Sequence, residues 1–406
     1  MKLPIYLDNS ATTPVDPRVV EKMLPWLTGQ FGNPASTSHA FGTDARAAVE
    51  AARDQVAALV NADPREIVWT SGATESNNLA IKGAAQASRK KGRHLVTVQT
   101  EHKAVLDTMQ ELARQGYEIT LLAPEPNGLL DPEKFAAALR ADTTVASVML
   151  VNNEIGVIQD IAALGAICRA RGVIFHVDAA QATGKVAIDL KRQEIDLMSL
   201  TAHKTYGPKG IGALYVSRER HVRLEPQMHG GGHERGLRSG TLATHQIVGM
   251  GECMRIAGAE MATELPRIRA WRDKLHRGLA ALDEVQVNGD MHHRIANNLN
   301  ISLKLPNCDQ MIASLSEIAV SSTSACSSGG GSVSHVLQAL GNDAGLAGNA
   351  IRLTVGRFNT EEEIDFALDY LTRKIAECRK AQDWDSSPFK AESKRSGERA
   401  PGRGMG

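Results

Sequence analysis

The sequence predicts an α/β protein: a large region with an open, mostly parallel sheet, followed by a smaller α+β region. Three observations carry this. From about residue 45 to 216, short β-branched runs alternate with Ala-rich helical stretches, the strand–helix–strand order of an open α/β sheet. Several of these runs are apolar on both faces, as strands covered by helices on each side must be. After about residue 263 the texture changes to amphipathic helix and isolated strand.

In chain order, strands are expected at Ile67–Thr70, His94–Val98, Tyr117–Leu122, Thr144–Asn152, Val173–Val177, Leu197–Leu200 and Ile211–Val216. Helices such as Arg46–Val60 and Ile161–Ala170 lie between them. A Gly-rich loop, Gly230–Gly240, follows the last strand. Ile268, Trp271, Leu275, Leu279 and Leu282 then step by three or four residues, which predicts an amphipathic helix. Asn298–Leu305 reads as a strand, and helical pattern continues to about Arg379. From Asp383 the chain is polar and cannot bury enough surface to order itself alone. The expected organisation is a large domain over residues 15–262 and a small domain over residues 1–14 and 263–382. The remainder, 383–406, is expected to be a disordered tail.

Composition narrows the function. Lys and Arg number 46, and so do Asp and Glu, so no bulk field draws the chain to nucleic acid or an anionic membrane. The apolar share of 42% is enough for a large core. Five scattered cysteines without a Cys-x-x-Cys suit a reducing compartment rather than a disulfide framework. No run approaches about 18 consecutive apolar residues, and the N-terminus lacks a secretory h-region. A soluble, cytoplasmic protein is expected. No metal is expected either, because His229 and His233 have no third partner at ligand spacing.

In open α/β sheets, ligands sit outside the carboxyl ends of the strands, so residues just after strands matter most. Lys204 follows the run Ile195–Leu200. A lysine there can form a Schiff base if its surroundings lower its pKa, although a lone loop lysine is more often solvated. Asp178 follows Val173–Val177, where a carboxylate is costly to bury without a cationic or donor partner. The protonated pyridine nitrogen of pyridoxal phosphate is such a partner. Capping a following helix is the plainer role for Asp178. Lys204 lies 26 residues further on, room for one crossover and the next strand.

Thr70-Ser71-Gly72-Ala73-Thr74 joins a strand to a helix, with N–H groups and hydroxyls placed for a phosphate, or simply for a cap. His102, after the second strand, could stack on a planar cofactor and move protons near neutral pH, where a surface histidine is the commoner reading. Asn153 follows the fourth strand, and Gln181 lies one turn after Asp178. Arg352 sits in a strand-like segment, where a guanidinium can clamp a carboxylate or form an ordinary ion pair. Ser321–Ser332 surrounds Cys326 with small polar residues and glycines. Nothing there can pack a core, so a mobile surface loop with a reactive thiol is expected.

Taken in order, these segments resemble a known family. Leu7-Asp8-Asn9-Ser10-Ala11-Thr12-Thr13-Pro14, Phe31-Gly32-Asn33-Pro34-Ala35-Ser36, Thr70–Asn77, Thr100-Glu101-His102-Lys103, Val151–Gly156, His176-Val177-Asp178-Ala179, Ala202-His203-Lys204, Tyr206–Gly210 and Ser324-Ala325-Cys326 are similar to cysteine desulfurases of the NifS/IscS type. The likeness runs from residue 1 to about 380. It implies the fold-type I pyridoxal-phosphate fold, a homodimer, and pyridoxal 5'-phosphate as cofactor. It implies Lys204 as the Schiff-base lysine, Asp178 on the pyridine nitrogen, and His102 stacked on the ring and assisting proton transfer. Ala73, Thr74, Thr201 and His203 resemble phosphate contacts, and Thr241 one that reaches the neighbouring subunit's cofactor. Asn153 and Gln181 would steady the ring and its oxygen, Arg352 and Asn153 would bind the substrate, with Arg352 on its carboxylate, and Cys326 would carry a persulfide.

The implied activity is conversion of L-cysteine to L-alanine. The sulfur would pass to an acceptor protein, an iron–sulfur scaffold or another carrier serving thio-modification of tRNA or DNA. Direct nucleic-acid contact and membrane association are not expected. Rival readings on the same fold are a selenocysteine lyase and an aminotransferase, neither of which needs a loop thiol; a non-catalytic interaction protein would not need Lys204, Asp178, His102 and Cys326 together. The chain departs from the family at Thr201, where serine is common, and after Cys326, where Gly329–Ser334 replaces a Leu-Glu-Pro. From Lys390 the tail carries five basic and two acidic residues and does not resemble the family's.

Overall fold

The structure, a computed structural model, describes residues 2–305, 309–322 and 333–385. Its first strand, β1 (Ile5–Tyr6), is remote in sequence from the main sheet. That sheet comprises β2 (Ile67–Thr70), β3 (His94–Val98), β4 (Glu118–Leu122), β5 (Thr143–Ser147), β6 (Ile174–Asp178), β7 (Leu197–Thr201) and β8 (Gly212–Val216). The spatial order is β2-β8-β7-β6-β5-β3-β4. All neighbours are parallel except β8, which runs antiparallel to both β2 and β7. All residues of β2, β3, β5, β7 and β8 are buried, which accounts for their continuous apolar reading. Edge strand β4 alternates between exposed and half-buried.

Helices cover both faces: α1 (Pro17–Met23), α2 (Ala40–Val60), α3 (Ala73–Ala87), α4 (Lys103–Arg114), α5 (Pro132–Ala138), α6 (Ile161–Arg171) and α7 (Thr244–Ala280). α2 begins six residues before the expected Arg46. Its N-terminus is set by the His39 ring, which accepts from the Gly42 amide, rather than by apolar periodicity. The fourth strand is shorter than expected. The apolar run continues past Ser147, where Val148 and Leu150 still donate to the His176 and Asp178 carbonyls of β6 but outside the regular strand, and Asn152 closes a turn by accepting from the amides of Glu154 and Ile155.

The amphipathic helix expected near Ile268 is the second half of a single 37-residue helix, α7. Ile247, Met250 and Met254 pack into the core beneath the large sheet, whereas Ile268, Leu275 and Leu279 belong to a second core. The texture change at 263 therefore marks a change of partner along one helix, with Pro266 inside it, and not a break in the chain's secondary structure.

The second core is roofed by an antiparallel sheet of β9 (Val285–Val287), β10 (Asn298–Leu303), β12 (Ser321–Ser322) and β13 (Ala350–Thr354). The order is β12-β13-β10-β9. β11 (Ile318–Ala319) pairs in parallel with β1, so Ile5 and Leu7 join this core. Short helices α8 (Asp309–Ala313), α9 (His335–Ala339) and α10 (Ala344–Gly348) precede the last helix, α11 (Glu361–Asp385). Leu371 and Ile375 of α11 complete the core. Cys326, its loop from 323 to 332, and the tail from 386 onward lie outside the described residues. Among the described residues, no helix is long and apolar enough to cross a membrane.

Candidate active site

A cavity of about 510 Å³ opens at the carboxyl ends of the parallel strands. Its walls come from Ser71–Glu75 after β2, His102 after β3, Met149–Asn153 after β5, Asp178–Gln181 at the end of β6, and Thr201–Lys204 after β7. This is where the sheet's direction forces strand-end residues to converge.

At one end lies the N-terminus of α3. Gly72 is its cap, with φ 152°, a backbone region that favours glycine. Gly212 of β8 packs against Gly72, where an added Cβ would stand 2.6 Å from the Gly72 Cα. The α3 terminus has no side-chain cap. Glu75 takes the Ser71 amide at 2.7 Å and is itself clamped by Arg238 at 2.8 Å. Ala73 and Thr74 of this first turn line the cavity, and a helix N-terminus with its dipole behind it favours an anion there. His203 and Lys209 flank this end. Burial and nearby Lys204, Lys209 and Lys185 push His203 down to about 4, so it is a neutral donor or acceptor.

At the other end Asp178 is 4% exposed. One oxygen accepts from Asn77 Nδ2 at 2.7 Å, the other from the Ala180 amide at 2.9 Å. These donors hold the carboxylate's orientation. The plainer reading of Asp178 as a helix cap does not hold, since a turn and not a helix follows β6. Asn77 Oδ1 is buried with no hydrogen-bond partner.

His102 caps α4, its Nδ1 accepting from the Ala104 amide at 3.1 Å. A neutral ring therefore carries its proton on Nε2. Burial, then the charge of Lys204, lowers its pKa below the ordinary histidine value, while Asp178 opposes the shift. The base form prevails at neutral pH. Gln181, 2% exposed, donates from Nε2 to the Ser10 carbonyl at 2.7 Å.

The structure brings Ala73, Thr74, His102, Asn153, Asp178, Gln181, Thr201, His203 and Lys204 onto one cavity. Arg352 and Thr241 are not among its lining residues. Arg352 is buried beside it, bonded to Asp8 at 2.8 Å, the Asn153 carbonyl at 2.9 Å and Ser321 at 2.9 Å. Its guanidinium is thus already engaged, and a substrate carboxylate would have to share it. Thr241 is exposed at the end of the Gly-rich loop. Cys168 and Cys253 are buried, and burial pushes both thiols up, away from reactivity.

Sequence reasoning missed two groups. Glu101 is fully buried next to His102; burial raises its pKa well above the carboxylate range, and its Oε1 accepts from the Met149 amide. Its adjacency to His102 was the only signal. Lys185 donates to Gln181 Oε1 at 3.1 Å. The four-residue spacing was visible, but not the turn that closes it.

The cavity fits pyridoxal phosphate by its donor set: an uncapped helix N-terminus for the phosphate, a hydrogen-bonded carboxylate for the pyridine nitrogen, and a lysine and an imidazole on the walls.

Known proteins agree. The family model described as aminotransferase class-V matches residues 5–366. A protein named cysteine desulfurase IscS from Methylobacillus flagellatus is 66% identical over 380 residues, 93% of this chain and 94% of that one. A solved NifS-like protein superposes with a TM-score of 0.86 at 35% identity, over 92% of this chain and 100% of the other. A second solved structure, SspA in complex with cysteine, gives 0.78 at 35% identity over 88% of this chain and 100% of that one.

Proposed function

The chain belongs to the class-V aminotransferase family and is a pyridoxal-phosphate-dependent cysteine desulfurase, and from that premise we propose which residues do the work. The observation that carries the assignment is the convergence of Lys204, Asp178 and His102 on the cavity headed by the open end of α3. Pyridoxal phosphate, when bound, supplies a sink for the electron pair left when a proton leaves the substrate's α-carbon.

Lys204 would hold the cofactor covalently and, when free of it, would act as a base beside the substrate. His102 serves as the second proton carrier, with its basic form available at neutral pH. Asp178, held by Asn77 and Ala180, would keep the pyridine nitrogen protonated. The first turn of α3, with Thr74, Thr201 and His203, holds the phosphate; Gln181 and Asn153 steady the ring, and Arg352 meets the substrate carboxylate. The Cys326 thiolate attacks the substrate sulfur. The carbon–sulfur bond breaks with its electron pair left on the β-carbon, which takes up a proton. L-Alanine leaves, and Cys326 holds the persulfide.

The persulfide then passes to an acceptor protein, which we read as an iron–sulfur scaffold or another sulfur carrier. We read the enzyme as a cytoplasmic homodimer, with Thr241 reaching the partner's cofactor. Exposed Thr241 and the exposed apolar run Leu24, Leu27, Phe31 and Phe41 support that reading. The two hydrophobic cores support a large and a small domain meeting along α7.

The test incubates purified protein with pyridoxal phosphate and L-cysteine, with and without reductant, and follows alanine, sulfide and the mass of the Cys326 peptide. Alanine, sulfide and a one-sulfur gain on Cys326 are expected, and none of them from Lys204→Ala. Alanine without the mass gain would remove Cys326 from the reaction.

A further inference from the structure

Gln181, which would steady the cofactor's ring and its oxygen, could do so with its amide in either of two orientations. A glutamine side chain can present either an acceptor or a donor to a ligand, and a half-turn of its amide exchanges them. Here two fixed groups hold the amide. The Ser10 carbonyl, which can only accept, lies 2.7 Å from Nε2. Lys185 Nζ, which as an ammonium can only donate, lies 3.1 Å from Oε1. The reverse orientation would set N–H against ammonium and oxygen against oxygen. With Oε1 turned to Lys185 and one N–H spent on Ser10, the second N–H of Gln181 is the group left for the cavity.

The backbone is built to bring Lys185 there. After Asp178 the chain turns without forming a helix, and Gly184, at φ 71°, lies against Thr205 and Ala257. An added Cβ at Gly184 would stand 3.1 Å from Thr205 Cγ2. The turn returns Lys185 to Gln181, and its own amide donates to the Ala182 carbonyl at 2.9 Å.

We propose that Lys185 is a positioning residue that fixes the Gln181 amide as a hydrogen-bond donor toward an anionic ring oxygen of the bound cofactor. The inference rests on the pyridoxal-phosphate reading of the cavity. The groups whose fields reach Lys185 are Lys204 after β7, His203 beside it, and Arg352 on β13, whose charge Asp8 offsets. Burial first, then Lys204 and Arg352, lowers the Lys185 ammonium to about 7. A neutral amine can accept as well as donate, so above that pH the acceptor-only Ser10 carbonyl keeps Nε2 in place and the amine goes on donating to Oε1.

The experiment uses the holoprotein. The visible absorbance band of bound pyridoxal phosphate is titrated from pH 5 to 10 in wild type, Lys185→Met, Lys185→Arg and Gln181→Glu. A donor to the ring oxygen favours its anionic form, so losing it should raise the band's midpoint. An upward shift of about one pH unit is expected in Lys185→Met and in Gln181→Glu, each corresponding to about tenfold in the proton equilibrium. Lys185→Arg, which keeps a pure donor, should restore most of the wild-type midpoint. The double variant Lys185→Met/Gln181→Glu should shift no further than either single one, because both act through one amide. In steady state, kcat should fall about tenfold in Lys185→Met while KM for cysteine changes less than twofold.

A Lys185→Met protein with an unmoved midpoint overturns the inference, even if its melting temperature falls. Full additivity in the double variant does the same. If Lys185→Met cannot hold the cofactor, the Gln181→Glu and Lys185→Arg titrations still decide. No visible band in wild type would instead overturn the cofactor reading itself.

Discussion

The two ends of the large sheet carry similar polar residues and treat them in opposite ways. At the amino ends and in the strand interiors, such residues are closed off by one another. The His176 ring lies between Ser147 Oγ at 2.8 Å and Ser199 Oγ at 3.0 Å, wholly buried. His94 is spanned likewise by Thr143 and Thr120. Asp196, ahead of β7, accepts from the Phe175 amide and pairs with Arg220 at 3.0 Å. At the carboxyl ends, His102 is held through Nδ1 and Asp178 through one donor on each oxygen, and both also line the cavity, which leaves room for further partners there. Residue type does not separate a structural histidine from a chemical one. The incomplete partner set does, and the direction of the parallel strands decides which end is left incomplete.

The sharpest way to break this contrast is to change the two histidines alike. His102→Asn should lower kcat by about 10²- to 10⁴-fold, the usual worth of a positioned proton carrier, with little change in melting temperature. The wild-type kcat/KM profile should keep its acid limb below pH 6.5. Burial and Lys204 lower the folded His102 value, so the ring stays basic until the pH falls further than for a free imidazole. An acid limb above pH 6.5, or an asparagine variant of normal rate, would return His102 to the class of His176.

Next in size is a closed pair near the open end. Arg53 of α2 binds Glu234 at 2.8 Å, both nearly excluded from water, and Glu234 also accepts from the Trp69 amide of β2 at 2.8 Å. Glu234 and Arg235 adopt left-handed backbone, φ 48° and 58°, uncommon for residues with side chains. The ion pair holds the Gly-rich loop in that form. Arg53→Met leaves a buried carboxylate unpaired and should cost about 3–5 kcal/mol in denaturant unfolding. A loss under about 1 kcal/mol would show that Glu234 relaxes outward and that the loop does not depend on it.

How much of this was legible follows from the same contrast. The strands along the chain and the strand-end motifs could be read because each depends on neighbours in sequence, whereas the order of the strands in the sheet could not. His94–Val98 and Ile67–Thr70 fall where apolar runs and turns put them. What could not be read depends on partners far along the chain. For Arg352 the clamp and the ion pair cannot be told apart until Asp8, 344 residues away, is seen to hold it. Nothing in the sequence singles out Lys185 until the turn at Gly184 is seen. The Thr144–Asn152 run looks like one long strand, because an apolar stretch that goes on bonding to β6 gives no sign of where its regular strand geometry ends. The continuity of α7 was hidden for a related reason: its apolar face changes partner midway, so a shift in pattern looks like a boundary.

The smallest effect tests the closed end by protons alone. Burial pushes His176 down to about 4, against about 6.5 for a histidine in an unfolded chain. Between these values the unfolded state binds a proton that the folded state refuses, so folding stability falls as pH drops from 6.5 to 4 and is untouched above 6.5. The gap corresponds to roughly 3 kcal/mol at the acid limit. His176→Asn keeps a polar group between Ser147 and Ser199 but cannot take up the proton. Its stability, measured by denaturant titration at pH 7 and pH 5, should therefore decline less with acid than that of wild type, while its kcat/KM profile keeps the wild-type acid limb. If that limb moves with His176, the closed end and the open end of the sheet are electrostatically coupled, and a complete hydrogen-bond set does not insulate a buried histidine from the chemistry a few residues away.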